Sequence, residues 1–292
     1  MASPSVRKVY IFHIVIVSSG DTLTIRKLIR FGGMETKLLF WLEENEKSIF
    51  TFAQARAAIG GTVASAKNVL KRLKKKKRVI PLQKGIYLFA PLKSGKEGHW
   101  SEDAFLVAKK LAGKENYYIG FLSAMNHYGM TEQIPVIVHV VLTRQKKTIE
   151  AVGAKFVFTK KKELGEITME KIHGEEIAFS SIEQTIIDGL AFPQYCLGIS
   201  EVAKAINASR KAMNFEKLLE MAKHSSTAVR GRLGYILEQL GLKTHAKKLE
   251  GKFTGFAWLD PHLSKKNLSY SKKWGLKINM AEPELLDFLE VH

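Results

Sequence analysis

Between Phe52 and Phe89 the apolar positions change period twice, and each change marks an element. Phe52, Ala55 and Ile59 recur at the spacing of one helical face. Val63, Ala66, Leu70 and Leu73 repeat that spacing after the pair Gly60-Gly61. From there the pattern shortens. Val79-Ile80-Pro81-Leu82 and Ile86-Tyr87-Leu88-Phe89 flank Gln83-Lys84-Gly85, a hairpin signal with glycine at its turn. Upstream, Leu38, Trp41 and Leu42 predict a first helix from about Met34 to Asn45. The boundaries have local causes. Thr51 and Gln54 have the spacing of a capping box. Gly60-Gly61 can take positive φ and stop the helix, and Thr62 stands ready to cap the next one. Pro81 lacks a ladder donor, which suits an edge strand. Three helices and a hairpin predict a winged helix–turn–helix over residues 34–90.

Past Ala90 the periodicity stops. Residues 91–101 carry Pro, Gly and charge and read as a linker. The segment 102–292 then gives helices at Glu102–Leu111 and Phe121–His127. Strands follow at Val136–Leu142, Lys155–Thr159, Ile167–Ile172 and Glu176–Phe179. Further helices are expected at Ser181–Leu190, Ser200–Ile206, Phe215–Ala222 and Val229–Leu240, and Leu276-Lys277-Ile278 as a closing strand. The predicted class is α/β in the α+β sense: a winged helix–turn–helix, then a larger α+β domain with a mixed sheet and a helical bundle.

Charge sharpens the first half of that picture. The chain has 292 residues and a net charge of +18, which predicts affinity for nucleic acid or another anionic surface. The helix after Thr62 holds Lys67, Lys71, Arg72, Lys74, Lys75, Lys76, Lys77 and Arg78 and no acid. A solvated helix is the ordinary fate of such charge, but unbalanced positive charge destabilises an isolated helix and is expected where a polyanion is met. With Val63, Ala66, Leu70 and Leu73 buried, Ser65, Asn68, Lys71, Arg72 and Lys75 face outward. The candidate DNA-binding residues are therefore Thr62, Ser65, Lys67, Asn68, Lys71, Arg72 and Lys75, with Lys84 on the wing, and the expected partner is double-stranded operator DNA.

Other chemistry is sparse. No catalytic residue, cofactor or metal ligand is assigned. Lone Cys196 rules out an internal disulfide and reads as a buried, inert thiol. The histidines form no His-x-x-x-His pair; His127 and His139 read as a helix-end and a strand residue. Gly231 and Gly234 read as close helix packing. No apolar run reaches the roughly 20 residues of a membrane span, so no membrane partner is expected. Val9–Val17 superficially resembles a signal peptide, but a DNA-binding module downstream points to the cytoplasm. Residues 1–33 are instead expected to be an extension outside the fold, possible if the start codon is misassigned.

Three stretches carry a resemblance. They are Tyr118-Ile119-Gly120-Phe121-Leu122-Ser123-Ala124-Met125-Asn126-His127-Tyr128-Gly129-Met130-Thr131-Glu132-Gln133-Ile134-Pro135, Ser180-Ser181-Ile182-Glu183-Gln184-Thr185-Ile186-Ile187-Asp188 and Arg232-Leu233-Gly234-Tyr235-Ile236-Leu237-Glu238. In order and spacing they resemble the AbiEi family, the antitoxin half of abortive-infection type IV toxin–antitoxin systems. Gln184 departs from that family's pattern, which has Arg there. The resemblance implies a winged helix that represses its own operon and a second domain that counteracts a nucleotidyltransferase toxin without a tight complex. It implies no enzymatic activity. Two other readings compete: a nuclease or nucleotidyltransferase targeted by the winged helix, and a scaffold in a transcription complex. Glu150, Glu163, Glu166, Glu170, Glu175 and Glu176 offer the first of these no convincing metal-binding arrangement.

Overall fold

The computed structural model describes residues 30–91 and 103–289, apart from Val152, His173, Lys265 and Asn267. Most of the expected extension and nearly all of the expected linker lie outside these residues. The chain divides into two compact units, 1–102 and 103–292.

In the first unit, α1 (Gly33–Glu44) is followed by β1 (Ile49–Thr51), α2 (Phe52–Ile59), α3 (Val63–Lys75), β2 (Val79–Gln83) and β3 (Ile86–Phe89). The strands form an antiparallel sheet in the order β1-β3-β2, so Pro81 does lie on an edge strand. The caps follow the sequence. Thr51 Oγ1 accepts from the Gln54 N–H while Gln54 Oε1 accepts from the Thr51 N–H. Gly60 ends α2 in the left-handed region at φ 69°, and the Lys37 ammonium donates to the Ile59 carbonyl beside it. Thr62 Oγ1 accepts from the Ser65 N–H and starts α3.

Two expectations are corrected here. Val63 is exposed and Val69 is buried in its place, because the first residue of a helix has no preceding turn to cover it. The unit also begins before Met34. Gly32 caps α1, Phe31 packs against the core, and the Arg30 carbonyl accepts from Lys76 Nζ at 2.6 Å. At the other end Pro91 belongs as well, since its carbonyl accepts from buried Arg78 at 3.0 Å.

In the second unit, α4 (Ala104–Ala112), β4 (Tyr117–Ile119), α5 (Phe121–His127), β5 (Ile137–Leu142), β6 (Ile149–Ala151), β7 (Ala154–Lys160), β8 (Ile167–Ile172) and β9 (Glu175–Ser180) come first. They build a mixed sheet in the order β6-β7-β5-β4-β9-β8, with β5 parallel to β7 and β4 parallel to β9. Then come α6 (Ile182–Ala191), α7 (Ile199–Ala208), α8 (Phe215–Lys223), α9 (Thr227–Gln239) and α10 (Lys243–Lys247). A small sheet of β10 (Ala257–Trp258), β11 (Ser269–Ser271) and β12 (Leu276–Ile278) follows, and then α11 (Glu282–Leu285). Leu276–Ile278 is its central strand. Helix α4 precedes the first sheet, α5 falls between β4 and β5, and a second, small sheet follows the bundle.

Helix α6 is the hub, packing against α5, α7, α8, α9 and β9. Each of its residues from Glu183 to Leu190 is buried, polar ones included. On α9, a Cβ at Gly234 would lie 2.1 Å from the ring of buried Trp274, and one at Gly231 would lie 2.3 Å from the Trp274 carbonyl. Ala usually stabilises a helix by about 1 kcal/mol over Gly. Here the ring is held by its Nε1–H on Glu238 at 2.6 Å and cannot yield. Gly234→Ala should therefore destabilise the chain by about 1–3 kcal/mol. A urea midpoint at or above that of wild type would refute the close-packing account.

Candidate nucleic-acid interface and buried polar centre

Helix α3 buries Ala66, Val69, Leu70 and Leu73 and leaves Lys67, Asn68, Lys71, Arg72, Lys74 and Lys75 exposed. Lys67, Asn68, Lys71, Lys74 and Lys75 make no side-chain ion pair or hydrogen bond among the described residues. Lys84 is exposed at the hairpin turn beside Gly85, which has φ +79°. Thr62 is exposed and Ser65 half-buried, but neither hydroxyl is free. The Ser65 hydroxyl donates to the Thr62 carbonyl at 2.8 Å, so both side chains are tied into the cap. Asn68 is thus the freest neutral hydrogen-bonding side chain early on the exposed face.

The positive charge of α3 is not wholly unbalanced, as the sequence had implied. Glu35, on α1 and almost fully buried, takes Arg72 Nε at 2.6 Å and Lys76 Nζ at 2.5 Å. Burial pushes the Glu35 carboxyl up, but the hydrogen bonds from Lys76, Gly32 and Arg72 outweigh it and hold it below the usual carboxylate range. A residue distant in sequence supplied this acid, so the local charge pattern could not reveal it.

The second unit holds a polar centre whose members the sequence offered only separately, as motif residues, a lysine of a basic run and a scattered acid. The Tyr118 hydroxyl donates to Asp188 Oδ2 at 2.6 Å, and Lys161 Nζ reaches Asp188 Oδ1 at 2.6 Å. Gln184 donates to the same Oδ1 at 2.7 Å and accepts the Glu166 N–H. Burial and the Asp188 carboxylate push the Tyr118 hydroxyl far above the ordinary phenol range. Ser181 caps α6 and donates to Glu166, whose carboxyl is held low by Lys217 and that hydroxyl. Glu183 accepts the Asn214 N–H at 2.7 Å. Arg232, on α9, is buried and donates to the carbonyls of Leu190 and Trp258. These polar side chains tie α6 to the sheet and to its neighbouring helices.

Two basic runs of the second unit, Arg144-Gln145-Lys146-Lys147 and Lys160-Lys161-Lys162, are partly absorbed too. Lys161 belongs to the centre just described, Lys146 donates to the Leu111 carbonyl, and Arg144 meets Glu115 at 2.7 Å. Lys147, Lys160 and Lys162 remain exposed. Cys196 is buried and its thiol is pushed well up by burial. Among the described residues, no group of three or more His, Cys, Asp or Glu is placed to hold a metal ion, and no helix is long and apolar enough to cross a membrane.

His139 gives the second unit a pH dependence. It is buried between Phe121 and Tyr195, its Nδ1 finds no partner among the described residues, and burial pushes its pKa down to about 4. Unfolded, a histidine titrates near ~6.5. Between those values the unfolded chain binds more protons, so stability rises with pH across the window and is lost as pH falls through it. This group should cost about 3 kcal/mol by the bottom of that window, on the scale of 1.36 kcal/mol per pKa unit. Chemical denaturation at several pH values should show a shallower acid slope in His139→Phe. An unchanged slope would remove the residue from the account.

Residues 118–239 match the family model of the AbiEi antitoxin C-terminal domain. The second unit therefore contains a stretch similar to that antitoxin domain. The match spans Tyr118, Lys161, Gln184, Asp188 and Arg232, so the whole buried centre lies inside it. Gln184, where the resemblance led to an expectation of Arg, hydrogen-bonds Asp188, and the cation beside that carboxylate is Lys161. The structure is also similar to the crystal structure of the RV2827C protein from Mycobacterium tuberculosis, with a TM-score of 0.68 and 12% identity. That similarity covers 90% of this chain and 96% of the other, and at such identity it speaks for the fold alone. No curated protein matches the chain.

Proposed function

We propose that this chain is a DNA-binding regulator of the AbiEi antitoxin type. In this reading residues 30–91 are a winged helix that represses the chain's own operon, and the AbiEi domain counteracts a nucleotidyltransferase toxin. The observation that carries it is the pairing of two features in one chain. One is a helix whose exposed face is Lys67, Asn68, Lys71 and Lys75 without balancing acids, next to a hairpin tipped by Lys84. The other is the antitoxin domain itself. The AbiEi family is not an enzyme family, and no observation favours the nuclease alternative.

The roles of the exposed side chains differ. Phosphate contacts add affinity for any sequence, whereas bidentate contacts to base edges discriminate. Asn68→Ala should relax preference at one base pair, at a cost of about 1–3 kcal/mol for the specific duplex only. Lys75→Ala should weaken every duplex alike and flatten the salt dependence by about one unit. Binding titrations against DNA from upstream of the gene and against a scrambled duplex separate the two. Equal losses for both duplexes in both variants would discard this division of roles. Repression of a reporter fused to the upstream region, and rescue of cells expressing the downstream gene product, test the wider reading.

A further inference from the structure

We infer that Glu35 is a positioning residue for DNA binding, holding Arg72 so that its guanidinium meets a phosphate. This rests on the reading of α3 as the DNA-contacting helix. Both oxygens of the Glu35 carboxylate are engaged, by three donors in all. Oε2 takes the Gly32 N–H at 2.9 Å and Lys76 Nζ at 2.5 Å, and Oε1 takes Arg72 Nε at 2.6 Å. The carboxylate is thereby fixed from its own helix start and from α3 together. Its side chain is 1% exposed, whereas that of Arg72 is 50% exposed. The clamp therefore grips Arg72 at Nε, and its terminal nitrogens have no partner among the described residues.

Lys76 takes a different part. Besides Glu35 it donates to the Arg30 carbonyl and sits 5.1 Å from the Phe31 ring, so its ammonium is absorbed by the fold. Of the two cations on Glu35, Arg72 alone is presented outward. A guanidinium already oriented loses less conformational freedom on meeting a phosphate, and its planar fork suits that geometry. Glu35 also subtracts one charge from the face. The two effects oppose each other. Removing the acid raises the general attraction of the face for DNA, while removing the clamp weakens one ordered contact.

The experiment uses the full-length chain with Glu35→Gln, Arg72→Ala and the double variant. Affinity for a scrambled duplex is measured across a salt series, under conditions where circular dichroism shows each variant folded. Arg72→Ala should lower the slope of log affinity against log salt by about one unit. Glu35→Gln should lose a comparable part of that slope and bind more weakly, despite its added positive charge. The double variant should then show the salt slope of Arg72→Ala and no further loss, because both changes act on the same phosphate interaction. A lower melting temperature alone, with wild-type slope and affinity, would mean Glu35 is merely structural and would overturn the inference. Tighter binding by Glu35→Gln would overturn it also, since the acid would then be withholding Arg72. So would additive losses in the double variant, or a wild-type slope in Arg72→Ala. If the wild-type chain binds neither this duplex nor upstream DNA, the parent reading of α3 fails first and the inference falls with it.

Discussion

Lys161→Met should destabilise the second unit by about 3–5 kcal/mol, the usual cost of removing one partner from a buried ion pair. Asp188 is 1% exposed and Lys161 21% exposed, so water cannot replace the lost ammonium at the carboxylate. The Tyr118 hydroxyl and the Gln184 amide would remain as donors, but neither carries charge. Asp188→Asn should cost less, about 1–3 kcal/mol. It removes the charge and keeps an oxygen to accept from Tyr118 or Lys161. The pair should be non-additive: Lys161→Met with Asp188→Asn should lose less than the two single losses combined, because no uncompensated charge remains. Urea unfolding with an unchanged m-value measures all three. If Lys161→Met falls within about 1 kcal/mol of wild type, the centre is solvated and does not hold α6 in place.

Local signals in the chain placed most elements and few of the contacts between them. Amphipathic spacing and caps foretold α2, α3 and the β2–β3 hairpin, because capping boxes, glycine turns and apolar periods are short-range effects. Strands of two or three residues such as β1, β4, β6 and β10 escaped notice, since a period of two needs more repeats than they offer. The exposed face of α3 was legible for the same local reason. What was not legible came from distance in sequence. Glu35 meets Arg72 across 37 positions and Tyr118 meets Asp188 across 70, and no window of periodicity reports such pairings. The Arg232 helix gave a partial signal. A charged residue in an apolar run beside two glycines implies tight packing, but not which carbonyls would take the guanidinium.

The largest functional effect expected is a clean division of the two activities between fragments. If the proposed function holds, a piece covering residues 103–292 should protect cells from the downstream gene product at least in part while losing operator binding altogether. A piece ending at Pro91 should bind DNA more weakly than the whole chain and should not protect. The cut belongs after Pro91 and not at Ala90, because the Pro91 carbonyl accepts from buried Arg78, and removing it leaves that donor unmet. Each piece contains its own apolar core. Leu38, Leu42, Phe50, Val69 and Leu73 pack together in the first, and Tyr118, Ile186, Leu233 and Trp274 in the second. The first piece also lacks exposed Lys147, Lys160 and Lys162. Its salt slope should be shallower by about 0.9 for each phosphate that those lysines neutralise in the whole chain. Co-expression with the downstream gene and binding to upstream DNA, run on both pieces and the intact chain, decide the matter. Protection by the intact chain but never by the second piece would show that neutralisation needs the first unit. If the intact chain does not protect either, the toxin half of the proposal is wrong, while operator binding stands or falls on its own measurement.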